Sequence, residues 1–123
     1  MKFTETDVEG CRIVELQPHG DERGFFARAW CADEMAAEGL ANNVAQINMS
    51  RSADAGTIRG LHWQIEPHGE AKFVRCIAGK IFDVCVDVRP DSPTYGKWAG
   101  VELTPTIVWR FRFRPDVLTV TKR

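Results

Sequence analysis

No long apolar run, no excess of charge of one sign and no CxxC pair occur in this sequence, and each absence removes a class of function. Without a stretch of about 20 apolar residues, no membrane-spanning helix is expected, and Met1–Gly10 lacks the core of a signal peptide. Against 17 Asp+Glu stand 16 Lys+Arg, a net charge of -1, so the chain as a whole exerts no attraction on nucleic acid or an anionic membrane. The four cysteines, Cys11, Cys31, Cys76 and Cys85, are scattered, which indicates neither a zinc site nor a disulfide framework. A reduced, cytoplasmic protein is the expectation. The 44% apolar and 27% charged residues are a globular balance, and 123 residues suffice for one domain.

The near-neutral total conceals an uneven distribution. Residues 1–103 carry 11 Lys+Arg against 16 Asp+Glu, a net of -5. Residues 104–123 carry Arg110, Arg112, Arg114, Lys122 and Arg123 against Asp116 alone, a net of +4. Such a jump marks a basic tail made for a polyanion or a segment of different origin.

Strand patterns dominate and predict an all-β fold, a sandwich or barrel. Lys80–Val88 alternates, with Phe82, Val84, Val86 and Val88 on one face and Asp83 and Asp87 on the other. Lys72–Ala78 and Trp98–Leu103 are further strands; Gly79-Lys80 reads as a hairpin turn, and residues 89–93 (RPDSP) as a loop. Val44–Ser50 alternates as well, with Gln46, Asn48 and Ser50 on one side and Ala45, Ile47 and Met49 on the other. Only Asp33–Glu38 reads as a helix, ended by Gly39.

Three clusters carry polar chemistry: Asp21–Phe26, the Gln46-x-Asn48-x-Ser50 face, and Arg59–Gln64 with Lys72 beyond it. The polar face of Val44–Ser50 either lines a ligand cavity or meets solvent, and alternation alone does not choose. His62 is either a structural strand histidine or a proton acceptor. The planar fork of Arg59 suits phosphate oxygens. Three residues separate it from His62, so the two face opposite ways in a regular strand; Gly60 is where a bulge would turn both inward. His62 and His68 bracket Glu66, but Pro67 makes this a loop and His19 lies far off, so a metal site is not expected.

In chain order, DERGFF (21–26), QINMSRS (from Gln46), TIRGLHWQ (from Thr57), KFVRCIAGKIFDVCVDVRPDSPTYGKW (from Lys72) and GVEL (from Gly100) resemble the dTDP-4-dehydrorhamnose 3,5-epimerase family over residues 1–104. The resemblance implies a cupin-type jelly roll, a homodimer, no metal or organic cofactor, and epimerisation at C3 and C5 of a 4-keto-6-deoxy sugar on dTDP, on the route to dTDP-rhamnose. It assigns His62 as the general base and Lys72 as the cation beside the keto oxygen. Arg23 and Arg59 match diphosphate or nucleotide contacts, and Gln46 and Asn48 match contacts to the nucleotide. A proton next to a ketone becomes removable when a cation holds the C4 oxygen as the enolate forms, and a near-neutral imidazole suits its removal. A C5-epimerase, a 3,4-ketoisomerase and a non-catalytic module binding anions or nucleotide sugars are the alternatives.

Two departures stand out. Arg28, also placed at the nucleotide end, replaces the acidic residue of the family's FFxE pattern. The second is the acid: an epimerase returns the proton to the opposite face, in this family from a later tyrosine, and the only tyrosine here, Tyr95, lies in a loop motif that does not match it. Residues 105–123 do not resemble the family in the frame in which they stand. They are either an amphipathic strand or the product of a displaced reading frame. With suitable synonymous codons, restoring one G after the codon of Pro105 turns PTIVWRFRFRPDVLTVTKR into PDNRMALSVPPGCAHGYQT, which carries the family's Pro-Pro-Gly-x-Ala-His-Gly segment. The frame reading also explains the charge jump. The expectation is a jelly roll incomplete at its C-terminal end, with little or no epimerase activity.

Overall fold

The computed structural model describes residues 1–65, 67–111 and 117–122, with the backbone alone for 108–111 and 117–122. Among the described residues, ten strands and one short helix follow one another: β1 (Lys2–Glu5), β2 (Cys11–Glu15), β3 (His19–Asp21), β4 (Gly24–Phe26), α1 (Ala32–Ala37), β5 (Ile58–His62), β6 (Phe73–Arg75), β7 (Ile81–Asp87), β8 (Trp98–Leu103), β9 (Ile107–Phe111) and β10 (Val117–Lys122). Two four-stranded sheets, β1-β2-β9-β6 and β5-β10-β7-β8, accompany the β3–β4 hairpin, and every pairing is antiparallel. The expected all-β jelly-roll architecture is present.

The two sheets are layers over one core. Cys11 of β2, Cys85 of β7 and Leu103 of β8 belong to a single buried cluster with Val8 and Cys76. In the β1–β2 pair, Lys2 Nζ meets Glu15 Oε2 at 2.8 Å and Arg12 Nη2 meets Glu5 Oε1 at 2.8 Å, each between residues directly opposite in register. The helix lies one residue earlier than its pattern predicts. Asp33 and Glu34 occupy its first turn, Met35 is buried, and Gly39 ends it at φ +65°.

Three sequence expectations change. Gly79-Lys80 does not close a hairpin, because β6 and β7 lie in different sheets; the bend carries the chain from one layer to the other. Val44–Ser50 is not a strand. No described strand pairs with it, and both of its sides are exposed, Ile47 by 88% and Met49 by 82%. Alternation without a neighbouring ladder leaves the backbone to water. In β7 the alternation is kept, but Asp83, Cys85 and Asp87 form the fully buried face while Phe82 is half-exposed.

Burying a carboxylate requires partners, and Asp87 has them. Its oxygens accept from Arg89 Nε at 2.8 Å, Arg89 Nη2 at 2.7 Å and Thr94 Oγ1 at 2.6 Å, and also from Ser92 Oγ. Arg89 Nη2 also donates to the carbonyl of Glu9 at 2.9 Å, so the predicted 89–93 loop is tied to the approach to β2. The strand of hydrophobic alternation therefore ends in a polar knot that links the two layers.

Candidate functional site

The positions of Arg59 and His62 are set by an irregularity in β5. Arg59 pairs with Thr121 of β10, Gly60 with Val120 and His62 with Thr119, so Leu61 is an extra residue on the β5 side. Gly60 sits at φ +110°, a region that side chains disfavour. Positions 119 and 121 are two apart on β10, so their opposites, His62 and Arg59, share a sheet face. The bulge expected at Gly60 is therefore present and does what the sequence asked of it. The same rows continue across β10 to Cys85 and Asp83 of β7, both fully buried. The face that carries His62 and Arg59 is the one turned toward the other sheet.

At the β5 end this face is open, and His62 and Arg59 are exposed. Arg59 is nonetheless fixed in direction: its Nε donates to Ser52 Oγ at 3.1 Å and its Nη2 to the carbonyl of Arg51 at 3.0 Å. Those two acceptors close the irregular segment that carries Gln46 and Asn48, so the loop is stitched to the strand. Gln46 and Asn48 themselves are exposed. Of the two readings of their polar face, the inward-facing strand is excluded and a solvent-exposed loop is what exists.

Lys72 lies one residue before β6, in the opposite sheet, and is partly buried. Its Nζ is 3.3 Å from Glu70 Oε1, so the ammonium enters any reaction from an ion pair. Arg23 and Arg28 are engaged elsewhere. Arg23 stands at the tip of the β3–β4 hairpin with its guanidinium on both oxygens of Asp21, and that hydrogen bonding lowers the carboxyl of Asp21 and raises the guanidinium. Arg28 Nη1 donates to Glu34 Oε1 at 2.8 Å, while Glu34 Oε2 accepts from the amino group of Met1 at 2.7 Å. These two bonds, the Met1 amine first, hold the Glu34 carboxyl below its ordinary range. The departure at Arg28 thus has a local consequence: the guanidinium is spent on α1.

Sequence reasoning missed Ser52, the carbonyl of Arg51 and Asp83. Ser52 is the last residue of the quoted QINMSRS run, but no sequence signal says that it will meet Arg59. Asp83 was visible only as the polar half of an alternation. An open depression of about 460 Å³ lined by Trp63, Gln64, Ile65 and His68 adjoins the end of β5 and contains none of the predicted residues. Glu66, weighed with the two histidines, lies outside the described residues.

Residues 5–108 match the protein family described as dTDP-4-dehydrorhamnose 3,5-epimerase. Over 106 residues the chain is 42% identical to the dTDP-4-dehydrorhamnose 3,5-epimerase of Shigella flexneri, covering 85% of this chain and 58% of that protein. The fold is similar to the crystal structure of the dTDP-4-dehydrorhamnose 3,5-epimerase from Bacillus anthracis with TDP and PPi bound. The TM-score is 0.91 at 33% identity, covering 98% of this chain and 69% of that one. It is also similar to the dTDP-6-deoxy-D-glucose-3,5-epimerase from Legionella pneumophila in complex with dTDP-4-keto-L-rhamnose, with a TM-score of 0.87 at 33% identity over 98% of this chain and 64% of that one. The chain spans about half the length of the curated relatives it matches.

Proposed function

The chain belongs to the dTDP-4-dehydrorhamnose 3,5-epimerase family, and from that premise we propose that it carries the base and enolate half of this reaction, on a 4-keto-6-deoxy sugar held through dTDP. His62 takes the proton from the carbon beside the C4 ketone. The electron pair moves onto the C4 oxygen, and the ammonium of Lys72 stabilises the enolate in place of its pairing with Glu70. Arg59 meets the diphosphate, with Gln46 and Asn48 on the nucleotide side. The observation that supports the reading is the Gly60–Leu61 bulge, whose register brings a phosphate-type arginine and an imidazole onto one face of the sheet. Arg23 and Arg28 contribute to the nucleotide end only after exchanging Asp21 and Glu34 for substrate.

Residues 1–104 hold every side chain given a role in this reading. Residues 105–123 are the product of a reading frame displaced by one base, and the 123-residue chain turns over little or no substrate because its one tyrosine, Tyr95, lies in a loop motif that does not match the family's proton donor. Binding is separable from turnover. Calorimetry with dTDP is expected to show the chain binding it, and Arg59→Ala is expected to weaken binding about tenfold, the loss of one charge-assisted contact of about 1.4 kcal/mol. Lys80→Ala, which removes an exposed ion pair with Glu102, should leave the affinity unchanged. Equal affinity in the Arg59 variant would remove the arginine from the site.

A homodimer in the cytoplasm completes the proposal. Its support is the contiguous run that exposes Ile47 and Met49, together with Phe26 of β4, exposed by 78%: apolar surface of the kind a second copy covers. The four free cysteines fit a reducing compartment. Sedimentation velocity is expected to give a two-chain species that Met49→Lys disperses; a monomer in the unaltered protein would reject the dimer.

A further inference from the structure

We propose that Cys11 and Cys85 form a latent redox pair that closes a disulfide between the two sheets when hydrogen peroxide reaches the core. The two lie 74 residues apart in the chain, yet the Cys85 thiol donates to Cys11 Sγ at 3.5 Å. Cys11 opens β2 in one layer and Cys85 sits centrally in β7 of the other, so a bond between them staples layer to layer. They are 2% and 0% exposed, and neither has a part in the proposed epimerase chemistry. The other thiols are placed differently: Cys76 donates to the carbonyl of Ala78 at 3.2 Å within its own bend, and Cys31 precedes α1.

The chemistry balances with peroxide as the oxidant. One thiolate attacks the O–O bond, giving a sulfenic acid and releasing hydroxide. The second sulfur then displaces the sulfenic oxygen, forming the S–S bond. Both thiol protons end in water, so two thiols and one peroxide give one disulfide and two waters, each sulfur giving up one electron. Burial, and then the neighbouring Cys85, push the Cys11 thiol well above its ordinary range, so the closed protein is inert and oxidation waits on local opening.

The test uses the full reduced chain exposed to hydrogen peroxide, followed by alkylation of remaining thiols and non-reducing peptide mapping. The expected result is a cross-link between the peptides holding Cys11 and Cys85, 2 Da lighter than their sum by about two hydrogens. It should bring a rise of several degrees in the melting midpoint, because a long loop is closed, and dithiothreitol should reverse it. The Cys31→Ser/Cys76→Ser double variant should form the same bond, and Cys85→Ala should show no rise. Should Cys85→Ala fail to fold, the map of the unaltered chain decides alone. Cys11 and Cys85 recovered alkylated after peroxide has oxidised Cys31, or a cross-link to any other cysteine, would overturn the proposal.

Discussion

Inserting one G after the codon of Pro105 is expected to raise the rate of inversion at sugar C3 and C5 by at least about a thousandfold over the 123-residue chain. General acid catalysis alone contributes about 10²–10⁴ in rate, and inversion requires it: a base that both removes and returns the proton on one face exchanges it with solvent and leaves the configuration at carbon unchanged. The sequence offers His62 and Lys72 on one side of that ledger and no tyrosine but Tyr95 on the other. The backbone assigns the disputed residues a demanding place. β9 lies between β2 and β6, and β10 lies between β5 and β7, beside the very rows that hold Arg59 and His62. In the restored frame this stretch reads PPGCAHGYQT, and the proton donor is expected beyond it. Proton NMR in deuterium oxide reads the outcome, and His62→Asn in the restored protein should return the rate to background. If the unaltered chain inverts C3 or C5 as fast as the restored one, the displaced frame is not the reason for residues 105–123.

How much of this was legible depended on what kind of physics held each element. β7 and β8 were readable because their alternation is a local pattern and their partners are adjacent in sequence. The Gly60 bulge was readable because a glycine between two candidate site residues three apart is where the strand can depart from regular alternation. The Val44–Ser50 segment misled because alternation records only that a chain has two sides, and the ladder that would make it a strand comes from elsewhere or does not come. Gly79-Lys80 misled for a related reason: a turn signal reports a reversal of the chain, and whether the flanking strands pair or lie in separate layers is decided by the whole topology. The inward face of β7 was the least legible. A row of valines suggests the core, yet the row with Asp83, Cys85 and Asp87 is the buried one, because donors from residues 89–94 repay the burial of Asp87 and those donors are invisible in a periodicity. Arg23 and Arg28 show the same limit at the site: sequence placed the charges, and neighbouring carboxylates determined where they point.

Replacing Asp87 by Asn is expected to cost about 3 kcal/mol of stability at neutral pH, the scale of breaking one partner from a buried ion pair. The side chain is completely buried and the Arg89 side chain nearly so, so little solvent screening reduces the effect. Asn keeps one acceptor, but its amide nitrogen turns a donor toward Arg89, Ser92 and Thr94, all of which need acceptors here. Burial by itself would raise the Asp87 carboxyl; the bonds from Arg89, Ser92, Thr94 and the Arg89 amide outweigh it and hold the group well below the usual carboxylate range. The direction fixes the pH dependence. With the folded group harder to protonate than the unfolded one, the unfolded state binds more protons as the pH falls below about 4, the ordinary Asp value. The contribution of Asp87 is therefore complete above that pH and is lost progressively below it, as the folded group itself is approached. Urea titrations at a series of pH values should show the gap between the unaltered chain and Asp87→Asn widest at pH 7 and narrowing steadily in acid. Ser92→Ala, which removes one donor and leaves the ion pair, should cost about 1 kcal/mol with a shallower acid slope. A gap that stays constant from pH 7 into strong acid would mean that the carboxylate is not charged in the folded protein, and that the polar knot joining the 89–94 loop to both layers is held by shape alone.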